Sequence, residues 1–138
     1  MPMLVQDAMT STVVSASPEQ TLRDAIELLR RQRIRHLPVT DNQRLVGIVT
    51  DRDVKRATPS VLTGVGKEEY DAALVAIKIG QFMTRDPITI SRRSPLKRAV
   101  EIFINTRVGA LPVVENGQLV GILSDVDILR VAYNLLPE

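Results

Sequence analysis

There is no cysteine among these 138 residues, and only one histidine, His36. Without cysteine there is no disulfide framework and no thiolate chemistry. A structural zinc site would need four ligands from one imidazole and scattered carboxylates, so no metal is expected. A single histidine cannot staff a Ser/His/Asp triad, and no pair of carboxylates recurs with a base and an orienting group. A Gly-x-x-x-x-Gly-Lys phosphate loop is also missing, since Gly64-Val65-Gly66-Lys67 lacks its spacing and its following Ser/Thr. The chain is therefore read as non-catalytic.

Aromatic residues amount to 3%: Tyr70, Phe82, Phe103 and Tyr133. Phe103 and Tyr133 are expected in buried positions, which leaves little on which nucleobases could stack. Apolar runs are only a few residues long, too short to cross a bilayer. The opening Met1-Pro2-Met3-Leu4-Val5-Gln6-Asp7 lacks the basic region and apolar core of a signal peptide, so a cytoplasmic protein is expected. The formal charge of +2 is too small for a dedicated nucleic-acid binder. The local clusters Arg30-Arg31-Gln32-Arg33-Ile34-Arg35-His36 and Arg92-Arg93 matter more; Arg30, Arg31 and Arg33 read as a solvated helix end and Arg92-Arg93 as a loop face.

What is present is a globular composition, 44% hydrophobic and 25% charged, enough for one ordinary domain or two small units sharing a core. A shift of 74 residues lays Met9-Thr10 on Met83-Thr84, Leu37-Pro38-Val39 on Leu111-Pro112-Val113, and Leu45-Val46-Gly47-Ile48 on Leu119-Val120-Gly121-Ile122. The same shift lays Thr50-Asp51-Arg52-Asp53 on Ser124-Asp125-Val126-Asp127, and Arg56 on Arg130, without a gap. The chain is one unit written twice. Residues 1–57 form the first repeat, 58–78 a connector and 79–138 the second repeat.

Each repeat reads as a helical turn (Val5 to Met9; Ile79 to Met83), a short strand (Val13-Val14-Ser15; Ile88-Thr89-Ile90) and a helix (about Thr21 to Arg33; Leu96 to Arg107). The helix stripes are Leu22, Ala25, Ile26, Leu29 and Leu96, Ala99, Val100, Phe103, at the three-and-four spacing of one face. Pro18 and Pro95 fit entry positions, with Ser94 as an N-cap. Two strands joined by tight turns follow, at Asp41-Asn42-Gln43-Arg44 and at Glu115-Asn116-Gly117-Gln118, whose Asn-Gly favours a hairpin. A final helix closes each repeat. The expected fold is α+β, built of two β-α-β-β-α units related by a pseudo-twofold, with sheets packed together and helices outside. In the connector, Thr58 to Gly66 reads as loop, and Lys67 to Lys78 as a helix with Tyr70, Leu74 and Ile77 on one face.

The repeated strand-to-helix corner carries the chemistry. Thr50 and Ser124 stand at helix N-caps, with Asp53 and Asp127 one turn in. Such a corner can hold a phosphate and a sugar diol together, or the residues can be only caps and first-turn acids.

Duplicated Met-Thr, Ala inside an apolar helix, Leu-Pro-Val, Leu-Val-Gly-Ile and Thr/Ser-x-x-Asp together resemble a tandem pair of cystathionine-β-synthase (CBS) domains, a Bateman module. The resemblance spans nearly the whole chain outside 58–78 and is closest to small free-standing bacterial CBS-pair proteins. The run Asp51 to Ser60 is also similar to the acetoin-utilisation type. The family implies clefts between the repeats that bind AMP, ADP or ATP, with S-adenosylmethionine and NAD-type dinucleotides as further candidates and no required cofactor. It implies a sensor of energy state or metabolites that acts on an unidentified partner protein and forms a homodimer through its helices. The alternatives are a nucleic-acid-binding CBS protein, or a structural dimerisation module with degenerate clefts.

Carried onto this sequence, the resemblance makes Asp53 and Asp127 the ribose clamps, since a carboxylate accepts from both hydroxyls of the diol. Thr50 and Ser124 would meet the ribose-phosphate, and Arg52 the phosphates; Val126, at the matching position, cannot. Adenine would lie against Ile88 and Val108 in the Asp53 site, and against Val14 and Ile34 in the Asp127 site. The positions before Leu-Pro hold Arg35-His36 in one repeat and Gly109-Ala110 in the other. The Asp127 site is thus expected to lack cations of its own and to bind nucleotide more weakly.

Overall fold

The computed structural model describes residues 2–59, 64 and 66–138. The elements are α1 (Val5–Ala8), α2 (Leu22–Arg31), β1 (His36–Asp41), β2 (Arg44–Thr50), α3 (Asp51–Ala57), α4 (Lys67–Ala76), α5 (Ile79–Phe82), β3 (Thr84–Arg85), α6 (Leu96–Asn105), β4 (Ala110–Glu115), β5 (Gln118–Ser124) and α7 (Asp125–Leu135). Of the expected connector loop, 60–63 and 65 lie outside the described residues.

Residues 14–86 form one compact unit; residues 87–138, with the N-terminal segment up to Val13, form the other. The opening turn of each sequence repeat therefore belongs to the unit that holds the body of the other repeat. In both units antiparallel strands combine with helices, an α+β architecture written twice.

In the 14–86 unit, β1 and β2 pair antiparallel from His36 opposite Thr50 to Asp41 opposite Arg44, with one irregularity after Val39. The hairpin turn puts Asn42 (φ 50°) and Gln43 (φ 71°) in the left-handed region, the mark of a turn that matches strand twist. β3 adds to β2, with Gly47 opposite Arg85 and Ile48 opposite Thr84. Helix α2 starts where Thr21 and Asp24 cap each other, Asp24 N–H donating to Thr21 Oγ1 at 3.2 Å and Thr21 N–H to Asp24 Oδ2 at 2.9 Å. Its buried Ala25 and Leu29 cluster with the sheet residues Leu37, Val39 and Val49 and with Ile79 and Met83, and Leu22 at its start is buried as well. Helix α4 packs beside α2 but buries no residue fully, and Ile77 caps it rather than continuing it.

The other unit repeats this plan. β4 and β5 pair from Ala110 opposite Ser124 to Glu115 opposite Gln118, and the Asn116-Gly117 turn again has both φ angles positive. Thr10 bridges Ile122 on β5, and the core joins Val5, Leu96, Ala99, Leu111, Val113 and Leu123.

Three local expectations change. The short strands at 13–15 and 88–90 reduce to single parallel bridges, Ala16 to Val39 and Ile90 to Val113, because each segment meets the sheet through two backbone hydrogen bonds only. Thr21 caps α2, and Pro95 rather than Ser94 stands at the α6 N-cap; the Ser94 carbonyl instead accepts from Val5 N–H at 2.9 Å. Tyr133 is 80% exposed, not buried, because α7 turns that side away from its own unit's core, while Phe103 packs against that core as expected.

Candidate functional site: two capped carboxylates

Strand β2 ends at Thr50, which keeps an extended backbone (φ −113°, ψ 169°) and serves as the N-cap of α3. Asp53 N–H donates to Thr50 Oγ1 at 3.3 Å, and Thr50 N–H donates back to Asp53 Oδ2 at 3.0 Å. Thr50 Oγ1 also lies 3.2 Å from Oδ2, and Thr84 Oγ1, from β3, lies 3.1 Å from each carboxylate oxygen. Asp53 is 6% exposed. A buried charge is retained only where donors compensate its desolvation, and here backbone and hydroxyl groups supply them.

Ser124 and Asp127 repeat the corner. Ser124 N–H donates to Asp127 Oδ2 at 2.8 Å, and Asp127 N–H donates to Ser124 Oγ at 3.3 Å. Asp127 is 7% exposed, and it and Asp53 are the buried charged residues among those described. The remaining donor differs: Arg130 Nη1, one turn further along α7, approaches Asp127 Oδ1 at 3.3 Å. Asp125 N–H donates to the Gly109 carbonyl at 3.0 Å, which ties this corner to the segment before β4.

The Met-Thr pairs gain a physical role. A Cβ on Gly47 would stand 2.6 Å from Met83 Sδ and 2.9 Å from the Thr84 carbonyl. On Gly121 it would stand 2.6 Å from Met9 Sδ and 3.0 Å from the Thr10 carbonyl. Each glycine admits the other sequence repeat's opening turn against the strand that feeds the corner.

Of the residues assigned to the Asp53 site, Thr50, Arg52, Asp53, Arg35 and His36 share the 14–86 unit. His36 faces Thr50 across the β1–β2 ladder, with Arg35 exposed beside it and Arg52 exposed on the first turn of α3. Ile88 and Val108 belong to the other unit, Ile88 exposed and Val108 packed against that unit's core. Of the Asp127 set, Ser124 and Asp127 share one unit, whereas Val14 and Ile34 pack against the core of the 14–86 unit. Sequence reasoning missed Thr84 and Arg130 as partners of the carboxylates. The signals available were the recurring Met-Thr and the coincidence of Arg56 with Arg130. Arg92, read as part of a loop face, is half-buried with its guanidinium 3.8 Å from Glu115.

Among the described residues no cluster of three or more His, Asp or Glu side chains could hold a metal ion. No helix among them is long and apolar enough to cross a membrane.

A strand–helix corner carrying a capped, buried acid is present once in each unit of this duplicated α+β chain. The CBS domain profile matches residues 5–60 and again 79–134, and the chain belongs to this family. Its fold resembles a Vibrio cholerae protein provisionally assigned to acetoin utilisation (AcuB), at TM-score 0.83 and 31% identity, covering 98% of this chain and 93% of that one. Arabidopsis thaliana CBSX2, solved with AMP, superposes at TM-score 0.80 and 29% identity over 96% of this chain and 97% of that one. The CBS pair of MJ0100, solved with 5′-methylthioadenosine and S-adenosylmethionine, gives TM-score 0.77 and 26% identity over 94% and 99%. Several curated relatives are longer, and the chain spans less than half of their length.

Proposed function

We propose that this chain is a non-catalytic regulatory module that binds an adenine nucleotide, AMP, ADP or ATP, with Asp53 and Asp127 as the groups that accept from the ribose diol. The observation that carries this reading is the pair of buried carboxylates, each fixed by a Thr/Ser N-cap box at the end of a hairpin strand. A carboxylate held by its own backbone keeps acceptor capacity for two vicinal hydroxyls, and a neutral side chain in its place would not. The adenosine ligands in the CBSX2 and MJ0100 structures support the choice of ligand class.

The Asp53 corner is the stronger of the two in this reading. His36 faces Thr50, and Arg35 and Arg52 stand in the same unit, whereas Ala110 and Val126 hold the matching positions near Ser124. Calorimetric titration of AMP against the whole chain and its Asp53→Ala and Asp127→Ala variants tests this. The larger loss of affinity is expected from Asp53→Ala; an unchanged affinity there, with binding abolished by Asp127→Ala, contradicts it.

Regulation follows from linkage. A ligand shifts the protein toward the arrangement it binds better, by no more than its differential affinity for the two. A homodimer formed through helices fits the exposed apolar residues Leu129 and Tyr133 of α7 and Ile104 of α6. Sedimentation of Leu129→Glu against the unaltered chain checks it, with a shift to monomer expected.

A further inference from the structure

The sequence gives the Asp127 corner no cation at the positions matching Arg35, His36 and Arg52, yet a cation stands on its carboxylate. We propose that Arg130 is the specificity-determining residue of that corner: it selects adenosine ligands bearing a 5′-phosphate over uncharged ones. This rests on the adenine-nucleotide reading above.

Arg130 Nη1 is 3.3 Å from Asp127 Oδ1, the oxygen left over once Ser124 N–H has taken Oδ2. The two side chains differ sharply in exposure, 67% for Arg130 against 9% for Asp127. A mostly solvated guanidinium forms a weak, displaceable pair, while the carboxylate stays where its capping box fixes it. A ribose diol that takes Oδ1 must push Arg130 aside. An uncharged nucleoside then leaves the cation separated from its carboxylate. A nucleotide supplies a new partner, because a phosphate accepts from the planar guanidinium in a bidentate fashion within the reach of one side chain. The other charged group of α7 is Asp125, an acid, so Arg130 is the cation of that helix. At Asp53 the corresponding donor is the neutral hydroxyl of Thr84, whose displacement moves no charge.

The test compares AMP with adenosine by calorimetry on the whole chain carrying Asp53→Asn, with and without Arg130→Met. Arg130→Met is expected to lower the AMP-to-adenosine affinity ratio about tenfold, the worth of one charge-assisted hydrogen bond, with adenosine bound as well or better. Retained binding with an unchanged ratio overturns the role of Arg130 and leaves the nucleotide reading standing. A second measurement avoids any change at Asp53. In the unaltered chain, the Arg130 Nε–Hε resonance, assigned by its loss in Arg130→Met, should move on saturation with adenosine as the pair to Asp127 breaks, and to a distinct position with AMP as the phosphate replaces the carboxylate. An equal response to both overturns the proposal. If neither ligand binds the unaltered chain, the nucleotide reading fails, and this inference with it.

Discussion

Thr84 Oγ1 sits 3.1 Å from both oxygens of Asp53, a hydrogen bond spanning 31 residues that joins the opening turn of one sequence repeat to the corner of the other. The same opening turn lies against Gly47 through Met83. Met-Thr, Gly and Thr-x-x-Asp are therefore parts of one assembly, repeated with Met9, Gly121 and Ser124-x-x-Asp127 in the second unit.

Replacing Thr84 by Val keeps the shape and removes the donor. Because Thr84 is itself exposed, the loss in stability should be modest, about 1 kcal/mol, with Thr10→Val smaller. Urea unfolding of the two variants measures the difference, and equal effects would deny Thr84 its role in holding Asp53.

Gly47→Ala and Gly121→Ala each drive a methyl group into a methionine sulfur and a backbone carbonyl. The sulfur can move and the carbonyl cannot, so each substitution should destabilise by about 1–3 kcal/mol. Met83→Ala should rescue Gly47→Ala only in part. Full rescue, read from denaturant midpoints, would show that the carbonyl at 2.9 Å is not limiting.

Gln43 and Gly117 occupy matching turn positions, with φ of 71° and 81°. A residue with a Cβ is disfavoured there by about 1 kcal/mol, so Gln43→Gly should stabilise and Gly117→Gln should destabilise by similar amounts. Thermal unfolding of both variants measures the pair of opposite shifts.

Thr50→Ala and Ser124→Ala remove the hydroxyl half of each capping box, at about 1 kcal/mol apiece. The Thr50 change should also loosen Asp53 and weaken nucleotide binding, because Thr50 Oγ1 lies 3.2 Å from Asp53 Oδ2. Calorimetry in parallel with unfolding separates the two effects.

Much of this was legible in the sequence. The duplication, the apolar stripes of α2 and α6, the two hairpins and both capped corners follow from period, turn residues and Thr/Ser-x-x-Asp, all of which act over a few positions. Features set by distant chain segments were not legible. Thr84 meets Asp53, and Met83 meets Gly47, only because residues 79–86 pack into the 14–86 unit. The segments at 13–15 and 88–90 carry strand-like residues, but each finds only one bridging partner. Tyr133 shows the limit from the other side: an aromatic on an amphipathic helix reads as core, yet α7 leaves it exposed. Arg130 escaped notice because its partner is set by the i, i+3 geometry of α7 and by an oxygen that Ser124 leaves unused.

The central claim is that this chain binds adenosine nucleotides through its capped aspartates. Thermal unfolding of the unaltered chain and of Asp53→Ala, with AMP, ADP, ATP, NAD and S-adenosylmethionine each in turn, tests it most directly. A ligand at a hundredfold excess over its Kd adds about 2.7 kcal/mol, several degrees for a chain of this size. At least one adenine nucleotide should raise the midpoint of the unaltered chain by that much, with a clearly smaller rise in Asp53→Ala. No shift with any of the five, or equal shifts in both proteins, would contradict it.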